Sequence, residues 1–151
     1  MRIVIQRVKN VSLTADGVFV DQMEKGLYAL VGIKEGDDEE SVMRYMTDKL
    51  VNLRVFEDEN GKMNLSVKDI GGEIYLVSNF TLYGDCRHGR RPSYSSGASP
   101  DMARAIYDRF VEYVKANSDV PVHTGVFQAY MEIETTMDGP VTLLLDSEKE
   151  F

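Results

Sequence analysis

Cysteine is almost missing from this chain: Cys86 is the single one in 151 residues. No internal disulfide can form, and the composition points to a reducing, cytoplasmic setting. Histidine is scarce too, with only His88 and His123. Cys86 and His88 lack a Cys-x-x-Cys or His-x-x-x-His partner, so a metal site has little to build on. A Ser-His-Asp triad is equally poorly supported, because no Gly-x-Ser-x-Gly elbow surrounds Ser78. No glycine-rich phosphate loop is present. No run approaches the ~20 apolar residues that a membrane span needs. The opening apolar segment is broken by Gln6 and Arg7, which argues against a signal peptide or an anchor. Cations are in deficit, with 17 Lys and Arg against 25 Asp and Glu and a net charge of −8. Indiscriminate nucleic-acid binding needs a dominant positive field, so that class is disfavoured.

What is present suits one α+β domain spanning residues 1–151. Hydrophobic residues make up 43% of the chain, enough for a core at this length. There is no repeat, low-complexity tract or linker. Residues 2–8 alternate Ile3, Ile5 and Val8 against Arg2, Gln6 and Arg7, a strand pattern. Asp16-Gly17 sits between two β-branched runs and predicts a tight hairpin with positive φ angles. The continuous apolar run from Gly26 to Ile33 fits a central strand buried on both faces. A first helix is expected from about Asp37, as cap, with Val42, Met46, Leu50 and Leu53 on one face. A second is expected from Ser99, with Pro100 at the first helical position, to about Asn117. Residues 125–136 and 141–145 read as a strand pair joined by an Asp-Gly-Pro turn. About seven strands and two helices predict a small, curved, barrel-like sheet with two covering helices.

One stretch departs from the acidic background. Cys86-Arg87-His88-Gly89-Arg90-Arg91 carries three arginines and no acid. It reads either as an ordinary solvated loop or as a set of planar guanidinium forks suited to phosphate.

Two segments carry the most information: Ser78-Asn79-Phe80-Thr81-Leu82 at the end of an apolar run, and Met137-Asp138-Gly139-Pro140-Val141-Thr142 in a turn. With them, in order, come Gln6-Arg7-Val8, Gly89-Arg90-Arg91-Pro92-Ser93 and Gly125-Val126-Phe127-Gln128-Ala129-Tyr130-Met131. Together, over essentially the whole chain, they resemble the D-aminoacyl-tRNA deacylase family. Neither main motif holds an obvious general base.

The resemblance implies a homodimer with active sites at the interface, where each Gly139-Pro140 turn, in the cis form, enters the partner's pocket. Its carbonyls would bind the ammonium of a D-aminoacyl group and occupy the space an L side chain needs. Ser78, Asn79, Phe80 and Thr81 become the catalytic segment, with the amides of Phe80 and Thr81 holding the oxyanion. The ribose 2′-hydroxyl of tRNA would activate water; Thr81 as nucleophile ranks below this. Arg7 would brace the turn. Phe127, Ala129 and Met131, alternating on one strand, would line the pocket together with Met137. Arg87, Arg90 and Arg91 would meet the aminoacyl-tRNA. Neither metal nor cofactor is implied. The activity would be hydrolysis of D-aminoacyl-tRNA, and of glycyl-tRNA mischarged on tRNA(Ala). The alternative is a non-catalytic or specificity-altered tRNA-binding paralogue. Three positions depart from the family's pattern: Asn79 stands for a usual Gln, Met137 for a usual Asn, and Gln128 for a usual Gly.

Overall fold

One strand organises the molecule. In the computed structural model, which describes residues 1–150, β1 (Arg2–Ala15) pairs on one edge with β3 (Gly26–Gly32) and then β2 (Val18–Met23). Its other edge pairs along nearly its whole length with β8 (Met131–Asp146). The hairpin between β1 and β2 turns at Asp16 and Gly17, with φ of 48° and 78°. Both are positive, as the two-residue turn requires. β6 (Glu73–Ser78) adds in parallel to β3, and β7 (Val122–Thr124) adds in parallel to β6. The order β2-β1-β3-β6-β7, with β8 beside β1, makes a nearly closed barrel-like sheet. A small separate ladder joins β4 (Phe56–Glu57) to β5 (Met63–Leu65).

Strand periodicity divides the interior in two. On β3, Leu27, Ala29 and Val31 face a core shared with the helices, while Tyr28 faces a second core inside the barrel. The first core packs α1 (Glu40–Asn52) and α2 (Pro100–Asn117) on the sheet through Met43, Met46, Leu50, Ile106, Phe110 and Val114. The second holds Val8, Val11, Leu13, Tyr75 and Val77. Both faces of β3 are therefore dry, as its unbroken apolar sequence implies. No described helix is long and apolar enough to cross a membrane.

Four sequence expectations change. Asp37 does not cap α1: Glu39 holds that position, without a side-chain bond. Asp37 is buried instead, accepting from the Met1 ammonium and, at 2.6 Å, from the Lys34 amide. Burial pushes its carboxyl upward despite that ammonium. The buried face of α1 runs through Met43, Met46, Thr47, Leu50 and Val51, and Leu53 falls just beyond the helix. Nor do residues 125–136 and 141–145 form a strand pair. β8 runs straight through the Asp-Gly-Pro segment as one strand of 16 residues. Its ladder to β1 jumps there, from Gln6 opposite Thr142 to Val8 opposite Met137, so residues 138–141 bulge out against Arg7 alone. Finally, residues 125–130 are a loop and turn rather than a strand. Gln128 takes φ of 66° there, in the left-handed region.

The gap between β7 and β2 is bridged by polar groups. His123 Nδ1 lies 2.8 Å from Asp21 on β2, and Nε2 lies 2.5 Å from Glu73 on β6. Its ring stacks on Tyr75 at 5.7 Å. Burial lowers the imidazole's affinity for protons, but the bonds to the two carboxylates outweigh it and leave the pKa raised. The same bond holds Asp21 below its ordinary value.

A raised histidine pKa stabilises the fold fully below the unfolded value of about 6.5 and loses that contribution as pH rises through the folded value. Thermal melts from pH 6 to 9 are expected to show a falling Tm that flattens in His123→Gln; parallel curves would remove the latch. Gln128→Gly is expected to stabilise by about 1 kcal/mol, because glycine takes the left-handed conformation without a Cβ clash. Urea unfolding measures this, and an unchanged or lower midpoint contradicts it.

Candidate active site

The first motif is set by the end of β6. Ser78 sits beside Val31 of β3, and the Asn79 amide donates to the Val31 carbonyl at 2.7 Å. The chain then tightens into a 3-10 turn, Phe80–Tyr83. Asn79 caps it: its Oδ1 accepts from the Thr81 amide at 3.2 Å and the Thr81 hydroxyl at 2.5 Å. Asn79 thus has a local task suited to its short reach. Gly32 lets the turn approach β3, since a Cβ there would stand 2.9 Å from Leu82 Cβ. Phe80 is 64% exposed and leans edge-on against Tyr94, with ring centroids 5.0 Å apart. Its backbone N–H has no partner among the described residues.

The arginine loop is pinched at its base by paired backbone bonds between Asp85 and Ser93, 2.7 and 2.9 Å. Arg87 is already engaged, since both arms of its fork reach Asp85 at 2.9 and 2.7 Å. That bonding holds the Asp85 carboxyl at about 2. Arg90 and Arg91 are exposed and have no ion-pair or hydrogen-bond partner among the described residues. Of the three arginines, these two are open to an outside anion.

The second motif rests on Arg7, which is only 7% exposed. Its Nη1 donates to the Val55 carbonyl at 2.8 Å and its Nε to the Asp138 carbonyl at 3.1 Å. The Asp138 carboxylate lies 3.3 Å from the same Nε. The guanidinium therefore grips the base of the bulge from inside. Gly139 and Pro140 stand exposed on it with Met137 exposed at its flank, and the Gly139-Pro140 bond is cis.

Within one chain the two motifs do not meet. Ser78 is level with Val31 and hence Ile3 of β1, whereas Met137 is level with Val8. Those β1 positions are separated by roughly 16 Å of strand at its usual rise. Nor do the supposed lining residues alternate on one strand. Phe127, in the turn, packs on Tyr107 at 6.0 Å beneath the Arg104 guanidinium and belongs with the helix-covered core. Ala129 and Met131 pack on the barrel core instead. Sequence reading missed Asp138 as Arg7's partner, Tyr94 as Phe80's neighbour and Asp85 as the anchor of Arg87. Asp138 lies inside a quoted motif and Asp85 adjoins the arginine stretch, and that proximity was the available signal. Among the described residues no three His, Cys, Asp or Glu are grouped to hold a metal.

Residues 4–146 match the family model described as D-Tyr-tRNA(Tyr) deacylase. The chain is 54% identical to the D-aminoacyl-tRNA deacylase of Thermosipho africanus over 151 residues, covering 100% of both chains. It is likewise 54% identical to that of Clostridioides difficile over 151 residues, again with 100% of both covered. Among solved structures it is similar to the c-Myc DNA Unwinding Element Binding Protein, with a TM-score of 0.90 and 35% identity. That match covers 97% of this chain and 98% of the other. With its cap, its braced bulge and a match along nearly its whole length, the chain belongs to the D-Tyr-tRNA(Tyr) deacylase family.

Proposed function

We propose that this protein hydrolyses the ester joining a D-amino acid to the terminal ribose of tRNA, as a homodimer with composite sites. In each, the bulge at residues 138–141 of one protomer enters the pocket headed by residues 78–82 of the other. The observation that carries this reading is the bulge itself, gripped from within by Arg7 yet exposing Gly139 and Pro140 far from its own Phe80. A rigid, outward-facing device of this kind has its use on a second copy. β8 supports the same arrangement: its outer edge is unpaired among the described residues, and Leu143 and Leu144 are exposed along it.

The chemistry follows from what is free and what is occupied. The Phe80 amide is available to stabilise the oxyanion as water adds to the ester carbonyl. The Thr81 hydroxyl donates to an amide oxygen, which is no base, so Thr81 is poorly placed as a nucleophile. The neighbouring 2′-hydroxyl of the ribose positions the water. Carbonyls of the Gly-Pro turn accept from the α-ammonium and leave no room for an L side chain. Glycine has no side chain to exclude, so glycyl-tRNA passes the same filter. Arg90 and Arg91 face the tRNA backbone, and the reaction belongs in the cytoplasm. The engagement of the Thr81 amide by Asn79 favours the second reading, a slower or re-aimed paralogue, because it leaves one oxyanion donor in place of two.

Purified protein is expected to clear D-Tyr-tRNA and Gly-tRNA while hydrolysing L-Tyr-tRNA at least ~100-fold more slowly, a transition-state difference of about 2.7 kcal/mol. A chelator should change nothing. Binding without turnover selects the paralogue, and comparable L hydrolysis ends the stereochemical filter. Thr81→Ala should keep kcat within about fivefold, under 1 kcal/mol in the barrier; loss of all turnover would make Thr81 the nucleophile.

A further inference from the structure

Beyond the far end of the 3-10 turn lies a cleft of about 480 Å³, bordered by Arg2, Lys34, Tyr83, Gly84 and Arg87. Every cation in it is held by a carboxylate of the chain itself. Arg2 pairs with Glu150 at 2.9 Å and lies 3.5 Å from the buried Asp146, Lys34 pairs with Glu148 at 2.6 Å and Arg87 with Asp85 at 2.7 Å. Two of those carboxylates come from the short segment that follows β8. Beneath them Tyr83 is buried, with the Arg2 guanidinium 4.7 Å from its ring centroid. The Tyr83 hydroxyl has no hydrogen-bond partner among the described residues. Stripped of Glu148 and Glu150, the cleft leaves Lys34 without its ion pair and Arg2 with the buried Asp146, beside an idle buried hydroxyl where the 3-10 turn ends.

We propose that this cleft is a phosphate subsite for the 3′ strand of the tRNA, and that Glu148 and Glu150 occupy its cations until a nucleic-acid phosphate displaces them. The proposal rests on the deacylase reading, which puts the terminal ribose at Phe80 and so brings the strand's preceding phosphates past Tyr83 and Gly84. Three features favour displacement. Glu148 and Glu150 are 43% and 58% exposed, so their pairs are solvent-screened and hold weakly. A backbone phosphodiester can take two arms of the Arg2 fork, whereas Glu150 engages Nη2 alone. The segment carrying the acids has no strand or helix to rebuild when it leaves. For the free protein, self-pairing hides cations that would otherwise attract any polyanion.

The test uses the full chain and a fluorescent single-stranded RNA ending in CCA, followed by anisotropy over a range of KCl. Glu148→Gln/Glu150→Gln is expected to bind about 3- to 10-fold more tightly at low salt, with the log–log salt slope steeper by about 1.4, some 0.7 for each cation that regains a counterion. Adding Lys34→Gln should remove roughly half of that gain. The same charge change at Glu57 and Glu59 should leave the slope unmoved; an equal steepening there would reduce the effect to net charge and overturn the subsite. Millimolar inorganic phosphate at constant ionic strength should not displace the RNA, and displacement would reassign the cleft to a free anion. A phosphate-free substrate, the D-tyrosyl ester of adenosine, separates the two readings. If neither it nor D-Tyr-tRNA is hydrolysed, the deacylase reading fails. If it is hydrolysed while affinity and slope stay at wild-type values, the phosphate subsite alone fails.

Discussion

A buried guanidinium holds the functional part of this molecule in place. Arg7 lies in the middle of β1, where a charge without partners would be strongly unfavourable. It finds them in two carbonyls, Val55 and Asp138, and in the Asp138 carboxylate. Those partners belong to the loop after α1 and to β8, so one side chain fixes three parts of the chain against each other. The bulge at residues 138–141 is the price in ladder hydrogen bonds of presenting Asp138 to Arg7. Its outward face is thereby held in place, which the shape filter proposed above requires.

Around that point the fold is an arrangement of shared faces. β1 and β3 each serve two cores, one under the helices and one inside the barrel. The barrel's seam is closed by His123 between two carboxylates rather than by a strand ladder. Apolar burial holds the cores at any pH, whereas the seam depends on the protonation of one imidazole. The 3-10 turn Phe80–Tyr83 sits at the opposite end of β6 from Glu73, away from that seam.

Much of this was legible from local signals. Asp16-Gly17, the Pro100 start of α2 and the two-sided apolar run of β3 each encode their structure within a few residues. The two motifs were recognisable as patterns; the first lies at the end of β6 as read, whereas the second lies on a bulge within one strand. What sequence could not convey depends on distant partners. Asp37 has the composition of a helix cap, but the Met1 ammonium 36 residues away competes for it. Phe127, Ala129 and Met131 alternate like a strand, yet Gln128 turns the backbone left-handed between them. His123 gave no sign of its role, because its partners lie 102 and 50 residues distant. The Asp-Gly-Pro segment looked like a chain reversal because those residues usually make one; only the ladder to β1 reveals a bulge.

The ladder between β1 and β8 is anchored independently on either side of that bulge, from Ile3 opposite Leu145 and from Leu13 opposite Ile133. Residues 138–141 therefore stand outside the strand's two-residue rhythm. A change of length or chemistry there alters what the protomer offers its surroundings while both flanks keep their register. The strand register of the scaffold does not depend on the residues beyond Arg7's grip on Asp138, which leaves the outer face of the bulge free to diverge on a barrel that stays the same.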